Sequence, residues 1–261
     1  MAIIDSTLTS RYELKYVIKP SMHEALLRFC EPFIQPDKFT AKSEHGHYTI
    51  SSLYLDTRDL TCYHATNDGE KNRFKMRIRT YDDSEGPAFF EIKKRLGQLI
   101  RKSRAHVSRA DADHLLNGRL SWIGSQKGKR DKDLHEFLHF SQRADYFPIL
   151  TVKYQRQALQ SRGSDPVRVT FDSAMQYAIA SDTRLSTEAA FWRPIPVPGI
   201  VMELKFTDCC PSWAVDMVRF FQLQRQSVSK YKKAVDHALG EDLQLPAVAL
   251  GTSTLALLAS S

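Results

Sequence analysis

The sequence has few cysteines, and they lack the spacing of a metal-binding motif. The 261-residue chain has four of them, Cys30, Cys62, Cys209 and Cys210, and no C-x-x-C pair. This spacing argues against a zinc site, and adjacent cysteines such as Cys209 and Cys210 rarely bond to each other. We therefore predict a reduced, cytoplasmic protein.

Long apolar runs and the common nucleotide-binding motifs are also missing. No stretch approaches the ~20 apolar residues of a membrane helix, and residues 1–10 lack the basic and apolar runs of a signal peptide. The sequence contains no G-x-x-x-x-G-K-[ST], G-x-G-x-x-G or G-x-S-x-G motif. An adenine nucleotide, if bound, is therefore not bound as in P-loop or Rossmann proteins.

Acidic residues are outnumbered by basic ones. Lys and Arg total 37 against 30 for Asp and Glu, which gives a net charge of +7. The excess indicates a polyanionic partner such as nucleic acid, anionic lipid or polyphosphate, although a basic surface without such a partner would have the same composition. Hydrophobic residues make up 42% and charged residues 26%, as in soluble globular proteins.

Charge does occur in a regular pattern, on one face of several predicted strands. Side chains of a strand alternate between two faces, so residues of one parity share a face. The polar residues that share a parity are Arg11, Glu13 and Lys15; Lys75, Arg77 and Arg79; Glu91 and Lys93; Lys102, Arg104 and His106; Arg168, Thr170 and Asp172; and Glu203 and Lys205. We predict an α+β fold in which these strands close into an antiparallel β-barrel tunnel, with the helices packed outside. The charged lumen would fit a chain of phosphates.

Helices and further strands follow from capping and alternation patterns. Ser21 and Glu24 predict a capping-box start for a helix that ends near Cys30. Further strands are predicted at residues 149–157 and 167–171. No linker is evident, so we predict one domain over residues 11–240, an N-terminal extension over 1–10 and a loosely ordered tail over 241–261.

The charged faces contain three glutamates that could hold a divalent metal ion. Arg and Lys bind phosphoryl oxygens, and carboxylates bind hard divalent cations. Glu91 and Glu203 each have a lysine two residues later, so ion pairing on the same face is the alternative. We favour metal binding at Glu203 and ion pairing at Glu91, and the pattern leaves Glu13 open.

The order of these segments resembles the VTC (vacuolar transporter chaperone) domain. This is the polyphosphate polymerase domain of the triphosphate tunnel metalloenzyme, or CYTH-like, superfamily. The similarity extends from about Arg11 to Leu239. Its motifs are Arg11-Tyr-Glu-Leu-Lys15-Tyr, Ser52-Leu-Tyr-Leu-Asp56-Thr, Lys75-Met-Arg-Ile-Arg79-Thr-Tyr, Phe90-Glu-Ile-Lys93, Lys102-x-Arg104, Tyr154-x-Arg156, Arg168-Val-Thr-Phe-Asp172, Met202-Glu-Leu-Lys-Phe206 and Ser229-Lys-Tyr231.

The resemblance implies an enzyme that transfers the terminal phosphate of ATP to polyphosphate, with Mn²⁺ (or Mg²⁺) as cofactor. It implies a metal ligand at Glu203, with Glu13 as a candidate second ligand. Phosphate would contact Tyr154, and Ser229 and Lys230 would lie near one end of the tunnel. The cations implied to line the tunnel are Lys15, Arg77, Arg79, Lys93, Lys102, Arg104, Arg156 and Arg168.

Two other functions stay open: a metal-dependent triphosphatase on the same scaffold, and a non-catalytic module that binds polyphosphate or RNA. The family's triphosphatases begin with Glu-x-Glu-x-Lys, and Arg11 replaces the first glutamate here, which favours the polymerase. Nucleic acid is disfavoured because the aromatic residues alternate with the cations on the opposite strand face. ATP and polyphosphate are the expected partners. A separate membrane protein that attaches the chain to a membrane is a further alternative.

Overall fold

The computed structural model describes residues 11–81, 86–97, 99–117, 129–162, 167–180, 191–243 and 245; for residues 11 and 129–131 it describes the backbone alone. The fold is α+β, with antiparallel strand pairs and helices, as the charge pattern predicted. The N-terminal extension and all of the tail except residues 241–243 and 245 lie outside the described residues, and the domain boundaries stay a prediction. None of the described helices is long and apolar enough to cross a membrane.

The described elements comprise ten strands and seven α-helices. The strands are β1 (Arg11–Ile18), β2 (Ile34–Pro36), β3 (Tyr48–Asp56), β4 (Asn72–Tyr81), β5 (Ala88–Leu96), β6 (Leu99–Val107), β7 (Phe147–Ser161), β8 (Arg168–Ile179), β9 (Arg193–Pro194) and β10 (Ile200–Thr207). The helices are α1 (His23–Cys30), α2 (Lys38–Lys42), α3 (Thr61–Asn67), α4 (Arg109–Asn117), α5 (Lys129–Arg143), α6 (Ser212–Phe220) and α7 (Lys230–Gly240).

The chain divides into two compact units. Of the described residues, those within 1–48, 154–175 and 196–228 form the first unit, and those within 49–153, 176–195 and 229–261 form the second.

In the first unit, β10 pairs with β1 on one side and with β8 on the other. Tyr16, Met202 and Phe171 lie side by side in this register and are buried in one apolar core. Residues of α1 and α6, including Leu26 and Met217, complete that core. Because strand residues alternate, the charged residues of β1, β8 and β10 share the opposite face.

In the second unit, strands β3, β4, β5 and β6 pair in sequence order. Leu53, Ile78, Phe90 and Ala105 form one buried row across the four strands. The ring of Phe137 from α5 packs edge-on against Phe90, with 5.0 Å between the centroids. The polar row displaced by one residue, which includes Arg77 and Glu91, therefore faces away from the helix-covered core.

Some sequence predictions were wrong in detail. Ser21 does not cap α1: Pro20–Met22 form a 3₁₀ turn, and α1 begins at His23 after Met22, whose side chain makes no capping hydrogen bond. Pro20 has the fixed φ that suits the first position of such a turn. Strands β7 and β8 extend beyond the predicted segments 149–157 and 167–171, to Ser161 and Ile179.

Candidate functional site

The second unit contains a group of cations around one buried carboxylate. Arg77, Glu91 and Arg104 lie in one register row across β4, β5 and β6. Arg77 Nε lies 2.8 Å from Glu91 Oε2, and Lys102 Nζ lies 2.8 Å from Oε1. Arg104 Nε is 3.3 Å from Oε1 and Arg79 Nε is 4.0 Å from Oε2. We call these five residues the Glu91 cluster.

The electrostatics of the Glu91 cluster are dominated by the excess of positive charge. Burial alone would raise the pKa of Glu91, but Arg77, Arg79 and Lys102 together hold that pKa far below its usual range. Burial lowers the pKa of Lys102 to about 8, an effect that Arg77 and Arg79 increase and Glu91 opposes. Four cations against one ionised carboxylate leave a charge of +3 when Lys102 is protonated. The cluster is thus suited to bind a polyanion.

Two tyrosines position the arginines of the Glu91 cluster. Arg77 Nη1 donates to Tyr54 Oη at 3.3 Å, and Arg104 Nη2 donates to Tyr81 Oη at 3.1 Å. Burial raises the pKa of both phenols, but nearby cations outweigh it: Arg77 lowers the pKa of Tyr54, and Arg79 and Arg104 lower that of Tyr81. The arginines are therefore oriented by tyrosine hydroxyl groups as well as by the carboxylate.

The beginning of helix α7 lies next to the cluster. Lys75 Nζ donates to Ser229 Oγ at 2.7 Å, and Ser229 Oγ caps α7 by accepting from the backbone N–H of Lys232. Lys230 follows as the first helical residue and contributes to the lowered pKa of Tyr54. Lys93 lies between Lys75 and Lys102 in the strand register.

Helix α7 is held in place by a buried aromatic contact. The ring of Tyr231 stacks on Tyr54, with 4.8 Å between the centroids, and its hydroxyl donates to Asp56 Oδ2 at 2.7 Å. Asp56 also accepts from the backbone N–H groups of Cys62 and Tyr63 at the start of α3. One carboxylate therefore joins both helices to the end of β3.

In the first unit, two carboxylates converge on one lysine. Lys15 Nζ is 3.2 Å from Glu13 Oε1 and 3.3 Å from Glu203 Oε1, and it donates to the carbonyl oxygen of Val228 at 3.1 Å. The second oxygen of Glu203 accepts from Lys205 Nζ at 2.7 Å. The predicted metal ligands Glu13 and Glu203 are thus brought together, and both are ion-paired.

The donor types at this position fit a hard divalent cation. Mg²⁺ commonly uses one or two protein carboxylates together with substrate phosphates, and Mn²⁺ accepts the same oxygen donors. Glu13 and Glu203 supply such oxygens, while the ammonium group of Lys15 lies between them. Within the described part of the chain, no group of three or more His, Cys, Asp and Glu residues could hold a metal ion.

The two predicted phosphate-binding arginines of the first unit have carboxylate partners. Arg156 forms two hydrogen bonds with Asp172, and its Nη2 is 4.0 Å from Glu203 Oε2. Arg168 Nη2 donates to Asp37 Oδ2 at 2.7 Å. Tyr154 is buried, and its ring centroid is 5.3 Å from the guanidinium carbon of Arg156.

The predicted site residues are divided between the two units. The second unit contains Arg77, Arg79, Lys93, Lys102, Arg104, Ser229 and Lys230; the first unit contains Glu13, Lys15, Tyr154, Arg156, Arg168 and Glu203. Their roles in binding and catalysis stay predictions. The sequence analysis included Tyr54 and Tyr81 in its motifs without assigning them a role, and it missed Asp37. Tyr54 lies on the same face of β3 as Ser52 and opposite Arg77 of β4, so a prediction of the β3–β4 pairing would have identified it. Asp37 follows the short strand β2, which no sequence pattern predicted.

Comparison with solved structures finds similar folds at low identity. A candidate adenylate cyclase from Bacillus halodurans is 12% identical, with a TM-score of 0.46 over 83% of this chain and 92% of that one. A candidate adenylate cyclase from Vibrio parahaemolyticus is 16% identical, with a TM-score of 0.43 over 87% and 97%. A protein from Pyrococcus horikoshii is 11% identical, with a TM-score of 0.44 over 88% and 98%.

Comparison with curated proteins finds no match. A family model described as the VTC domain matches residues 10–239, which is most of the sequence. The chain therefore belongs to the VTC domain family.

Proposed function

We propose that this protein transfers the terminal phosphate of ATP to a growing polyphosphate chain, with Mn²⁺ or Mg²⁺ as cofactor. The observation that carries the proposal is the Glu91 cluster, in which four cations surround one buried carboxylate. Phosphoryl transfer depends mainly on positioning and on neutralising the charge of the phosphoryl oxygens. Cations held on adjacent strands would position the phosphoryl group and neutralise the charge of its oxygens.

The arginines of the Glu91 cluster would bind the triphosphate oxygens. An arginine offers five N–H donors in a fixed plane, so Arg77, which binds Glu91 and Tyr54, would bind a phosphate with several parallel donors. The same holds for Arg104, whose Nη2 already binds Tyr81. Because these partners fix both guanidinium groups before a ligand arrives, little side-chain entropy is lost on binding.

Glu203 and Glu13 would hold the divalent metal ion in the first unit, which when bound neutralises charge on phosphate oxygens. The ammonium group of Lys15 lies between the two carboxylates, and it can donate to phosphate instead when they turn to another cation. Lys205 and Arg156 lie beside the other oxygen of Glu203 and would hold this carboxylate in orientation in either state.

A shortage of carboxylates supports transfer to a phosphate chain over hydrolysis. Arg11 occupies the position of the first glutamate of the triphosphatase motif. The remaining β1 carboxylate, Glu13, is ion-paired to Lys15. Activation of a water molecule by a second metal ion needs further carboxylate ligands, so a phosphate chain is the more suitable acceptor.

The product of the reaction tests this proposal. The protein is incubated with ATP and Mn²⁺, and the products are separated on a gel that resolves orthophosphate from long polyphosphate. We expect chains that lengthen with time, and none when a chelator removes the metal. An Arg77→Ala/Arg104→Ala variant should lose activity, whereas Lys94→Ala, on the opposite face of β5 beside Glu136, should keep it.

Two results would overturn the proposal. Orthophosphate as the sole product would identify a triphosphatase. Binding of polyphosphate without turnover of ATP would identify a non-catalytic binding module.

A separate membrane protein that receives the product would be a further partner, and its addition should then raise the yield of chains.

A further inference from the structure

The turn between β5 and β6 exposes large aliphatic side chains. Leu96, Leu99 and Ile100 are 53%, 69% and 53% exposed. Single apolar residues on a surface need no explanation, but a cluster of them marks an interaction site. These three residues lie within five consecutive positions. They are closer to the turn than any residue of β5 or β6 that belongs to the apolar core.

Gly97, which follows β5, has a defined backbone conformation. Gly97 adopts a φ of +59°, which favours glycine. Its N–H donates to the backbone carbonyl of Lys71 at 3.1 Å and to Asn72 Oδ1 at 3.0 Å, and its carbonyl accepts from Arg95 Nε at 2.9 Å. Leu96 lies opposite Leu99 across the two strands. Leu96 and Leu99 share one face of the hairpin, and Ile100 lies on the other face across from Arg95, so the tip exposes aliphatic side chains on both faces.

Cations lie next to these residues in the sequence and in the strand register. Arg73 lies opposite Arg95 across β4 and β5, and Arg95 in turn lies opposite Ile100. Like charges at opposed positions destabilise a sheet unless an anion binds nearby. Arg101 is exposed on β6, and residues 93–104 contain six Lys and Arg residues with no Asp or Glu. Glu70 lies three residues before Arg73, and its backbone carbonyl accepts from the Arg73 guanidinium.

We propose that this hairpin tip binds the surface of an anionic phospholipid bilayer. The tip consists of Arg73, Arg95, Leu96, Leu99, Ile100 and Arg101. Its aliphatic side chains would enter the boundary between headgroups and acyl chains, and its arginines would contact lipid phosphates. A free polyanion would use the arginines but would leave the aliphatic side chains in water. The inference does not depend on the proposed enzymatic activity.

Sedimentation with lipid vesicles tests the proposal. The full-length protein is mixed with vesicles of phosphatidylcholine alone, or of phosphatidylcholine mixed with phosphatidylglycerol. We expect binding to the anionic vesicles that weakens as salt rises. Leu99→Ser/Ile100→Ser should weaken it by about tenfold or more, and Arg95→Gln/Arg101→Gln by about 30-fold.

Matched controls separate the tip from other surfaces. Arg219→Gln/Phe220→Ser removes one cation and one exposed aromatic side chain from α6, and it should bind vesicles like the unaltered protein. Leu99→Trp/Ile100→Trp should retain binding, because tryptophan suits the membrane interface. The midpoint of thermal unfolding without ligand should be unchanged in the serine variant, which shows that it has folded.

Several outcomes would overturn the inference. The first is a failure of the unaltered protein to bind anionic vesicles. The second is full vesicle binding by the folded Leu99→Ser/Ile100→Ser variant, which would make the tip a purely electrostatic surface for free polyanions such as polyphosphate or RNA. The third is equal loss of binding in the α6 control.

Discussion

Arg156 and Asp172 form a two-point ion pair inside the first unit. Arg156 Nε donates to Asp172 Oδ1 at 2.6 Å, and Nη2 donates to Oδ2 at 2.7 Å. Both residues are buried, at 7% and 0% exposure. Burial alone would lower the pKa of Arg156, but Asp172 raises it well above its usual value. The arginine that the family resemblance assigns to phosphate binding is therefore also a structural residue.

Replacement of Asp172 with alanine should destabilise the protein. The change leaves the guanidinium of Arg156 buried with Glu203 Oε2 at 4.0 Å as its remaining acidic neighbour. Loss of one partner of a buried pair costs about 3–5 kcal/mol. Urea unfolding should show this loss. Glu241→Ala, which breaks the exposed pair with Arg193, should cost at most about 1 kcal/mol, and equal effects of the two variants would contradict the prediction.

Replacement of Arg77 with alanine should weaken both ATP use and chain synthesis. A hydrogen bond between a guanidinium and a phosphate contributes about 1.5–3 kcal/mol, which corresponds to roughly 10- to 150-fold. The affinity for tripolyphosphate, measured by calorimetry, should fall in parallel and depend less steeply on salt. Lys94→Ala is the control, since Lys94 binds Glu136 on the opposite face. A loss of synthesis with unchanged tripolyphosphate affinity would argue against a binding role.

Phosphate affinity should fall as the pH rises through about 8. Burial lowers the pKa of Lys102 to about 8, so the ammonium group of the folded protein loses its proton there. Between pH 8 and the ordinary pKa of 10.5 the unfolded chain holds more protons than the folded one, so this residue makes stability rise with pH across that window. A pH series of tripolyphosphate binding measures the loss of affinity.

The Lys102→Arg variant tests the assignment of this pH dependence. A guanidinium stays protonated at these pH values, so the decrease in affinity near pH 8 should disappear while binding at pH 7 is kept. A decrease of the same size in this variant would assign the titration to another group.

Replacement of Glu203 with glutamine should abolish turnover that depends on Mn²⁺ and preserve most of the phosphate affinity. The cations near Glu203, Lys15 and Lys205, remain in the variant, but a carboxylate ligand is lost. Electron paramagnetic resonance of added Mn²⁺ should show weaker metal binding. Glu136→Gln, which removes a carboxylate bound to Lys94, serves as the control. Full activity together with lower stability would show that Glu203 is only an ion-pair partner.

The sequence by itself determined the fold class and the charged strand faces. Alternation with period two depends only on local backbone geometry. The sequence alone therefore predicts that residues 75, 77 and 79 share one polar face of their strand. The same alternation placed Met76 and Ile78 in the core, where the structure has them. The order of the motifs along the chain was sufficient to recognise the family, which the VTC domain match confirms.

The tertiary structure decided which charged groups meet. Register across β4, β5 and β6 brings Arg77 and Arg104 to either side of Glu91, and a shift of one residue would place Glu91 in the apolar core. Pairing of distant residues such as Arg168 with Asp37 depends on loops and neighbouring strands that no periodic pattern encodes. The local geometry of a strand is periodic, so a sequence pattern can predict it. Ion-pair partners depend on contacts between segments far apart in the chain, and these contacts form only when the chain folds.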